Sequence, residues 1–270
     1  MSGFNPSTAV ISGGASGIGL AVGKLLTQRG VQVMLADLPG EKLEAAAADI
    51  GALVHPLDVR EKSQWQALAN AAFEQLGSVE LFFNNAGIGG PHGKMWAIDP
   101  TDARAHFDVN FWGMWNGIRA FAPLMVAQET PSAIYNTGSE NSLFCAMPRT
   151  SAYIAAKHAV LGMTESLAED LPAHVHAGLV IPGWVFTGLG DPRMMQHGMN
   201  VDDYASIILP QMLDRQRFVV SHKSNLAPID ERMDALRASY DAHGFDDTGA
   251  DDGPNYDVRA FIAKMRVTKG

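Results

Sequence analysis

The stretch Ser12-Gly13-Gly14-Ala15-Ser16-Gly17-Ile18-Gly19 follows the apolar run TAVIS at 8–12 and opens a helix-period segment at 18–29. A short buried strand, a glycine cluster and a helix, in that order, make a strand-to-helix turn. Glycines there let the backbone come close to a pyrophosphate and aim amide N–H groups at it, and the positive end of the helix dipole favours the same anion. A glycine cluster alone also serves as a plain tight turn. Asp37 narrows the choice. It closes the next strand, near the ~20-residue offset at which a carboxylate takes the ribose hydroxyls of a dinucleotide. Its other readings are a helix N-cap or a turn acid. Ala36 and Leu38 beside it are uncharged, and Ser16 rather than a base precedes Gly17. A carboxylate with no cation nearby repels a 2′-phosphate, which predicts NAD in preference to NADP.

Outward from the turn, apolar runs alternate with helix-period segments. Strands are predicted at 8–12, 31–37, 52–57, 79–84, 133–137, 175–181 and 217–221. Helices are predicted at 18–29, 41–50, 61–76, within 102–127, and at 152–171. The strands are continuous apolar runs, as buried parallel strands are, and helices of ten or more residues between them indicate βαβ units. The fold class is α/β: a Rossmann-type doubly wound parallel sheet of about seven strands, with helices on both faces and a C-terminal helical extension. We expect a single NAD-binding domain over 1–270, with a substrate lid at 187–215 and the extension at 222–270. Two helical patterns, 229–241 and 258–267, lie in that extension. Between them, 245–257 carries Asp246, Asp247, Asp251, Asp252 and Gly253, whose spacing does not match a calcium loop and reads as a solvated acidic linker.

The 270 residues carry a formal charge of −9, which argues against nucleic acid or an anionic membrane as partner. A single cysteine, Cys145, allows no intrachain disulfide and implies no oxidising compartment. Residues 1–7 show no basic segment leading into an apolar run, and no stretch approaches the ~20 apolar residues of a membrane span. A cytoplasmic protein is expected. Nine histidines offer no pair with a third ligand at metal-binding spacing, so no metal is expected.

Ser151-Ala152-Tyr153-Ile154-Ala155-Ala156-Lys157 opens a helix of small residues. Positions i and i+4 share a helix face, so the Tyr153 phenol lies beside the Lys157 ammonium. A free phenol, with a pKa near ~10, is a poor base at neutral pH. A neighbouring cation favours the phenolate and prepares an acid/base for an alcohol or carbonyl oxygen. Of five tyrosines only Tyr153 has a lysine four residues on. Alone, the pair reads as an ordinary surface contact; downstream of a dinucleotide turn it points to catalysis.

Taken together and in order, these motifs resemble the short-chain dehydrogenase/reductase family over roughly residues 7–221. Residues 12–19 resemble its TGxxxGxG turn, with Ser for Thr and with Gly13, Ser16, Gly17, Ile18 and Gly19 toward the cofactor. The resemblance implies that Asp58 and Val59 meet the adenine and that Asn85, Ala86 and Gly87, in the NNAG-like Asn84–Gly87, support the sheet beside the cofactor. It implies that Asn110 holds a water in a proton relay and that Ser139 hydrogen-bonds the substrate oxygen. Ser142 remains the alternative hydroxyl. Pro182-Gly183-Trp184-Val185-Phe186-Thr187 resembles the PGxVxT turn, whose Val185 backbone and Thr187 hydroxyl would meet the nicotinamide amide. Lys157 would also hold the nicotinamide ribose. The implied activity is NAD-dependent interconversion of an alcohol and a ketone by a homodimer or homotetramer; the alternative is a non-catalytic dinucleotide sensor on the same fold. Many members end soon after the seventh strand, so the extension here puts the usual tetramer contact in question. It could instead cover the site mouth or a neighbouring subunit.

The segments expected at the pocket mouth supply Met95, Trp96, Phe144, Met147, Trp184, Phe186, Met194, Met195 and Met199. Phe144, Met147, Trp184 and Met195 are the expected substrate contacts beside Ser139. Apolar walls suit a bulky apolar alcohol or ketone, aryl, alicyclic or steroid-like. The competing expectation is that these side chains pack a core or an interface.

Overall fold

Seven apolar runs become strands because their side chains alternate between two helical layers. The computed structural model describes residues 4–189, 192–244, 257–259 and 262. The strands are β1 (Thr8–Ser12), β2 (Gln32–Asp37), β3 (Leu53–Pro56), β4 (Leu81–Asn84), β5 (Ser132–Thr137), β6 (Val175–Ile181) and β7 (Phe218–Val220). All pair in parallel, in the order β3-β2-β1-β4-β5-β6-β7. The direction of winding reverses between β1 and β4, and such a reversal opens a crevice at the carboxyl ends of the strands.

Helices α1 (Gly17–Thr27), α2 (Glu41–Ile50), α3 (Lys62–Leu76), α4 (Pro100–Phe107), α5 (Met114–Ala127), α6 (Ser151–Asp170), the single turn α7 (Pro192–Met195) and α8 (Val201–Leu213) complete the first of two compact units, Met1–Asn225. Ala9 and Ile11 of β1 face a core shared with Val22 and Leu26 of α1 and Ile208 and Leu209 of α8. Val10 between them faces the other layer, with Trp65 and Leu68 of α3 and Phe121 of α5. There Phe82 stacks on Phe121 at 4.2 Å and meets Trp65 edge-on at 6.0 Å. This period-two alternation, buried on both faces, is why the strands read as unbroken apolar runs.

The structure differs from the sequence expectation in two places that matter to the site. The long helix expected within 102–127 is two helices joined by a π-helical turn, Asp108–Gly113. It also starts earlier, at Asp99, whose carboxylate accepts the Thr101 N–H ahead of Pro100. The second place is the segment assigned to a lid, which contains α8. Asn200 caps α8 by accepting from Asp202 and Asp203 N–H, and Tyr204, Ala205, Ile208, Leu209 and Met212 are buried. Pro210 inside the helix hid this element from a reading by periodicity.

The second unit, Leu226–Gly270, contains helix α9 (Leu226–His243), none of whose residues is buried. The acidic stretch at 245–256 lies outside the described residues, as does most of the helix expected at 258–267. Among the described residues no helix is long and apolar enough to cross a membrane, and no group of three His, Cys, Asp or Glu could hold a metal.

Candidate active site

At the first β-to-α turn the backbone itself forms the site. Gly13 has φ +67°, and a Cβ there would lie 2.8 Å from Ala86 Cα; a Cβ on Gly19 would collide with the Gly13 carbonyl. Only glycine lets this turn close against β4. Ser16 stands at the N-cap of α1 but makes no side-chain cap bond, and the first turn holds no acidic residue. The amides of an eleven-residue helix therefore face an open edge that an anion can fill. Across it, Thr187 lies 3.5 Å from where a Gly17 Cβ would be, so the 182–187 loop faces the glycine turn. Val185 is buried in that loop.

The Asp37 carboxylate sits on this turn. It accepts from Ala15 N–H at 3.0 Å and from Leu38 N–H at 2.8 Å. Each oxygen then keeps acceptor capacity for a diol. Leu38, Pro39, His55, Pro56, Asp58, Gln64 and Ala67 line an open cleft of about 550 Å³ beside it. Asp58 points to this cleft but is held by Arg60, with Nε to Oδ1 at 2.9 Å and Nη2 to Oδ2 at 2.5 Å. The guanidinium lowers the Asp58 carboxyl below its ordinary range. Arg60, the basic group near the cleft that sequence reading passed over, is thereby neutralised. Val59 is buried; its carbonyl accepts from Trp65 Nε1 at 2.9 Å, and its side chain packs where Gly113 leaves no room for a Cβ.

Asn85 ties the turn to the sheet. Its Nδ2 donates to the Ser12 and Gly13 carbonyls at 3.2 and 3.3 Å, and its Oδ1 accepts from Thr137 Oγ1 at 3.0 Å. Ser12 Oγ accepts from both Asn85 and Ala86 N–H. At Gly87 a Cβ would lie 2.8 Å from Asn110 Oδ1, so this glycine lets the π turn approach β4.

Tyr153 and Lys157 sit one turn apart near the start of α6, and Lys157 Nζ lies 5.7 Å from the Tyr153 ring centre. The pair does not behave as its spacing alone implied. Burial holds the Tyr153 phenol above its usual range, and the charge of Glu140 adds to this; a hydrogen bond with Ser139 opposes both. Burial also draws Lys157 down to about 7, although its Nζ donates to the Thr137 carbonyl at 2.7 Å. The correction has one physical cause: the same desolvation penalises the anion and the cation.

Ser139 and Ser142 divide their work. Ser142 Oγ accepts the Ser139 N–H at 3.1 Å and is wholly buried, so it closes a turn. Ser139 Oγ accepts from Asn141 N–H at 3.1 Å, and Ser139 acts to lower the Tyr153 phenol against the effect of burial. Asn141 shapes the loop after Ser139: its Oδ1 accepts from Ala146 and Met147 N–H.

Asn110 lies in the π turn, fully buried. Its Oδ1 accepts Ile88 N–H at 3.2 Å, and its Nδ2 reaches the Ile88 and His106 carbonyls and His106 Nδ1, each at 3.2 Å. The Asn110 side chain is thus committed to protein partners. The π turn around it interrupts the regular i→i−4 ladder, a departure frequent at functional sites. His106 is the residue that sequence reading missed. The Ile88 N–H fixes the Asn110 oxygen, so the Asn110 amide nitrogen faces His106 Nδ1, and His106 Nε2 has no hydrogen-bond partner. The ring is 2% exposed and 5.8 Å from the Tyr153 ring. Burial and then the Lys157 charge lower it to about 4, against a smaller pull from the Gly89 carbonyl. A histidine four residues before Asn110 on one helical segment was the available signal.

Around the mouth, Met147 is 49% exposed, Trp184 40% and Phe186 45%, while Phe144 and Met195 are half-buried. Trp184 meets His197 edge-on at 6.4 Å. The side chain of Met194 lies outside the described residues.

Comparison with known proteins agrees with this geometry. A short chain dehydrogenase family model matches residues 7–197. The chain is 38% identical over 203 residues to 1-deoxy-11-beta-hydroxypentalenate dehydrogenase of Streptomyces avermitilis, covering 70% of this chain and 74% of that one. It is 29% identical over 225 residues to mitochondrial borneol dehydrogenase of Lavandula x intermedia, covering 79% and 86%. A short-chain dehydrogenase/reductase from Burkholderia phymatum, solved in complex with NAD, superimposes with a TM-score of 0.81 at 30% identity over 88% of this chain and 97% of that one. Cradle, carboxylate, Tyr–Lys pair and matched residues agree on one conclusion: the chain belongs to the short-chain dehydrogenase/reductase family and is an oxidoreductase acting on CH–OH groups.

Proposed function

We propose that this protein is an NAD-dependent enzyme interconverting a bulky, largely apolar secondary alcohol and its ketone. The observation that carries the reading is the Tyr153 ring with Lys157 Nζ 5.7 Å from its centre and Ser139 acting to lower its phenol, together with Asp37 on the glycine turn. Gly13, Ser16, Gly17, Ile18 and Gly19 would hold the pyrophosphate. Asp37 and Leu38 would face the adenosine ribose and Asp58 and Val59 the adenine. Asn85, Ala86 and Gly87 would support the cofactor's middle, and Pro182, Gly183, Val185 and Thr187 its nicotinamide end. When bound, the nicotinamide supplies or accepts the hydride.

The chain's own groups handle the oxygen and its proton. Ser139 Oγ and Tyr153 Oη would meet the substrate oxygen, which accepts from one and exchanges a proton with the other. Tyr153 rests as a phenol at neutral pH, ready to donate to a carbonyl oxygen during reduction. In oxidation it must first shed that proton, which is easier the more fully Lys157 is charged. A ribose hydroxyl would give Lys157 an acceptor besides the Thr137 carbonyl and favour the charged amine. The π turn around Asn110 offers the place for a relay water.

NAD over NADP rests on Asp37, whose carboxylate would face a 2′-phosphate, and on Arg60, whose charge Asp58 already neutralises. The apolar substrate class rests on the exposed Met147, Trp184 and Phe186, in the segments that follow β5 and β6, which favour a ring-bearing ligand over a sugar. The names of the pentalenate and borneol relatives point the same way. A lid would be confined to the residues before α8, because α8 is anchored in the core. We also propose a homodimer or homotetramer and a cytoplasmic setting, in keeping with the single, exposed Cys145.

Steady-state rates with NAD and NADP, across a series of alicyclic and aryl alcohols and a series of polyols, sugars and hydroxy acids, test this reading. Higher kcat/KM for the alicyclic and aryl series with NAD is expected. Higher kcat/KM for the polar series would show that the rim side chains are structural. No turnover with either cofactor across both series and the matching ketones would favour the dinucleotide-sensor reading.

A further inference from the structure

Helix α9 carries Leu226, Ile229, Met233, Leu236, Tyr240 and His243 at alternating steps of three and four. That spacing is the seam of a two-stranded coil, with a mean period of 3.5 residues. No residue of the helix is buried, and Leu226, Met233, Leu236 and Tyr240 are all exposed. Ile229 of the seam is half-buried, and the four exposed apolar side chains around it mark a contact surface. One flank of the seam carries opposite charges one heptad apart, Asp230 and Arg237; the other carries Arg232 and Ser239.

We propose that α9 pairs antiparallel with α9 of a second copy of this chain, about a twofold axis midway between residues 234 and 235. The pairing is isologous, so each contact occurs twice. Met233 meets Leu236 of the second copy, Ile229 meets Tyr240, and Leu226 meets His243. The same register sets Asp230 beside Arg237 of the second copy on both sides of the axis. A parallel pair would instead set Arg232 beside Arg237 of the other chain, two cations in contact. Arg237 lies 3.4 Å from Asp234 within its own helix. That pair is exposed and contributes little, so exchanging it for Asp230 of the second copy is a small step. Two and a half heptads are short for an isolated coil. The seam therefore adds one contact to an assembly of copies, where local concentration makes a weak pairing effective. This inference does not depend on the cofactor or the substrate.

Two full-length chains with different tags, co-expressed in a Cys145→Ser background, test it. One carries Ile229→Cys and the other Tyr240→Cys. Mild oxidation should give the mixed-tag disulfide in several-fold excess over either same-tag product. Adding Asp230→Arg to both chains should reduce that product, Arg237→Asp alone should do the same, and the two reversals together should restore it. Dominant Ile229→Cys same-tag linkage would make the helices parallel and overturn the proposal. So would the absence of cross-linking in folded protein, which would seat the seam on its own chain or on another partner, and so would failure of the double reversal to restore the product.

Discussion

The two halves of the sheet handle their charged and polar groups in opposite ways. In the first half, at β1 and β2, the site is made of backbone amides, missing Cβ atoms and the partly exposed Asp37. In the second half, beyond β4, it is made of side chains withdrawn from water: Ser139, Lys157, Asn110 and His106 are all buried. A binding site for an anionic cofactor needs donors that are always in place and cost nothing to present. Proton transfer needs groups whose two states lie close in energy, and burial does that by penalising charge. Burial accordingly displaces the ionisation of Tyr153, Lys157 and His106, all near the chemistry, and it acts in the same way on the core phenols Tyr135 and Tyr204.

The contrast is broken most severely by Tyr153→Phe. It removes a proton and leaves the ring, so turnover should fall ~10²–10⁴-fold, the usual contribution of an acid/base, while NADH binding by fluorescence stays near wild type. Wild-type-like turnover would end the mechanism. Lys157→Met should also abolish most activity, yet raise the stability of the protein without cofactor at pH 7, by on the order of 1 kcal/mol or more, because a buried amine is costly. The sign follows from linkage. Lys157 titrates near 7 in the fold and near 10.5 when exposed, so the unfolded chain binds more protons between those values and wild-type stability rises with pH across that window. A Lys157→Met protein less stable than wild type at pH 7 would show that the Thr137 hydrogen bond outweighs burial.

In the other half, Asp37→Ser with Leu38→Arg should move the ratio of kcat/KM values toward NADP by about 10-fold or more while leaving kcat with NAD largely unchanged. An unchanged ratio would place the ribose elsewhere. His106 predicts an acid limit. Its folded value of about 4 lies below the ordinary 6.5, so the stability tied to its neutral form is complete above pH 6.5 and is lost as pH falls toward 4. That loss is of the order of 3 kcal/mol, and denaturant melts of His106→Leu should show a shallower fall over the same window. Parallel curves for the two proteins would mean the imidazole takes its proton freely. The smallest effect separates the two serines. Ser142→Ala should cost about 1 kcal/mol of stability with kcat little changed, whereas Ser139→Ala, which loses the bond from Asn141 N–H, should cost about as much stability and lower kcat as well. The reverse pattern would exchange their roles.

Local chemistry made much of this legible in the sequence. Glycines at a strand-to-helix turn, an acid at the end of the next strand and a tyrosine four residues before a lysine each imply contacts over short spans of chain. The inner strands were legible because unbroken apolar runs are the signature of strands buried on both sides, while the edge strands β3 and β7 are only partly buried. The existence of α8 was not, because Pro210 interrupts its pattern while its burial depends on α1, far away in the chain.

What the sequence by itself determined was the order of elements, the family and the placing of Tyr153 and Lys157 one turn apart on one helix, since these follow from near-neighbour spacing and from motif order. What only the tertiary structure decided was how each group is held. The helix expected through Asn110 is broken by a π turn, and Ser142 Oγ closes a turn on the Ser139 amide. His106 lies beside Tyr153, and burial rather than the neighbouring charge dominates the ionisation of Tyr153. The physical reason is desolvation. Whether a charge is stabilised depends on the solvent removed by groups from other parts of the chain, and no spacing within one helix carries that information.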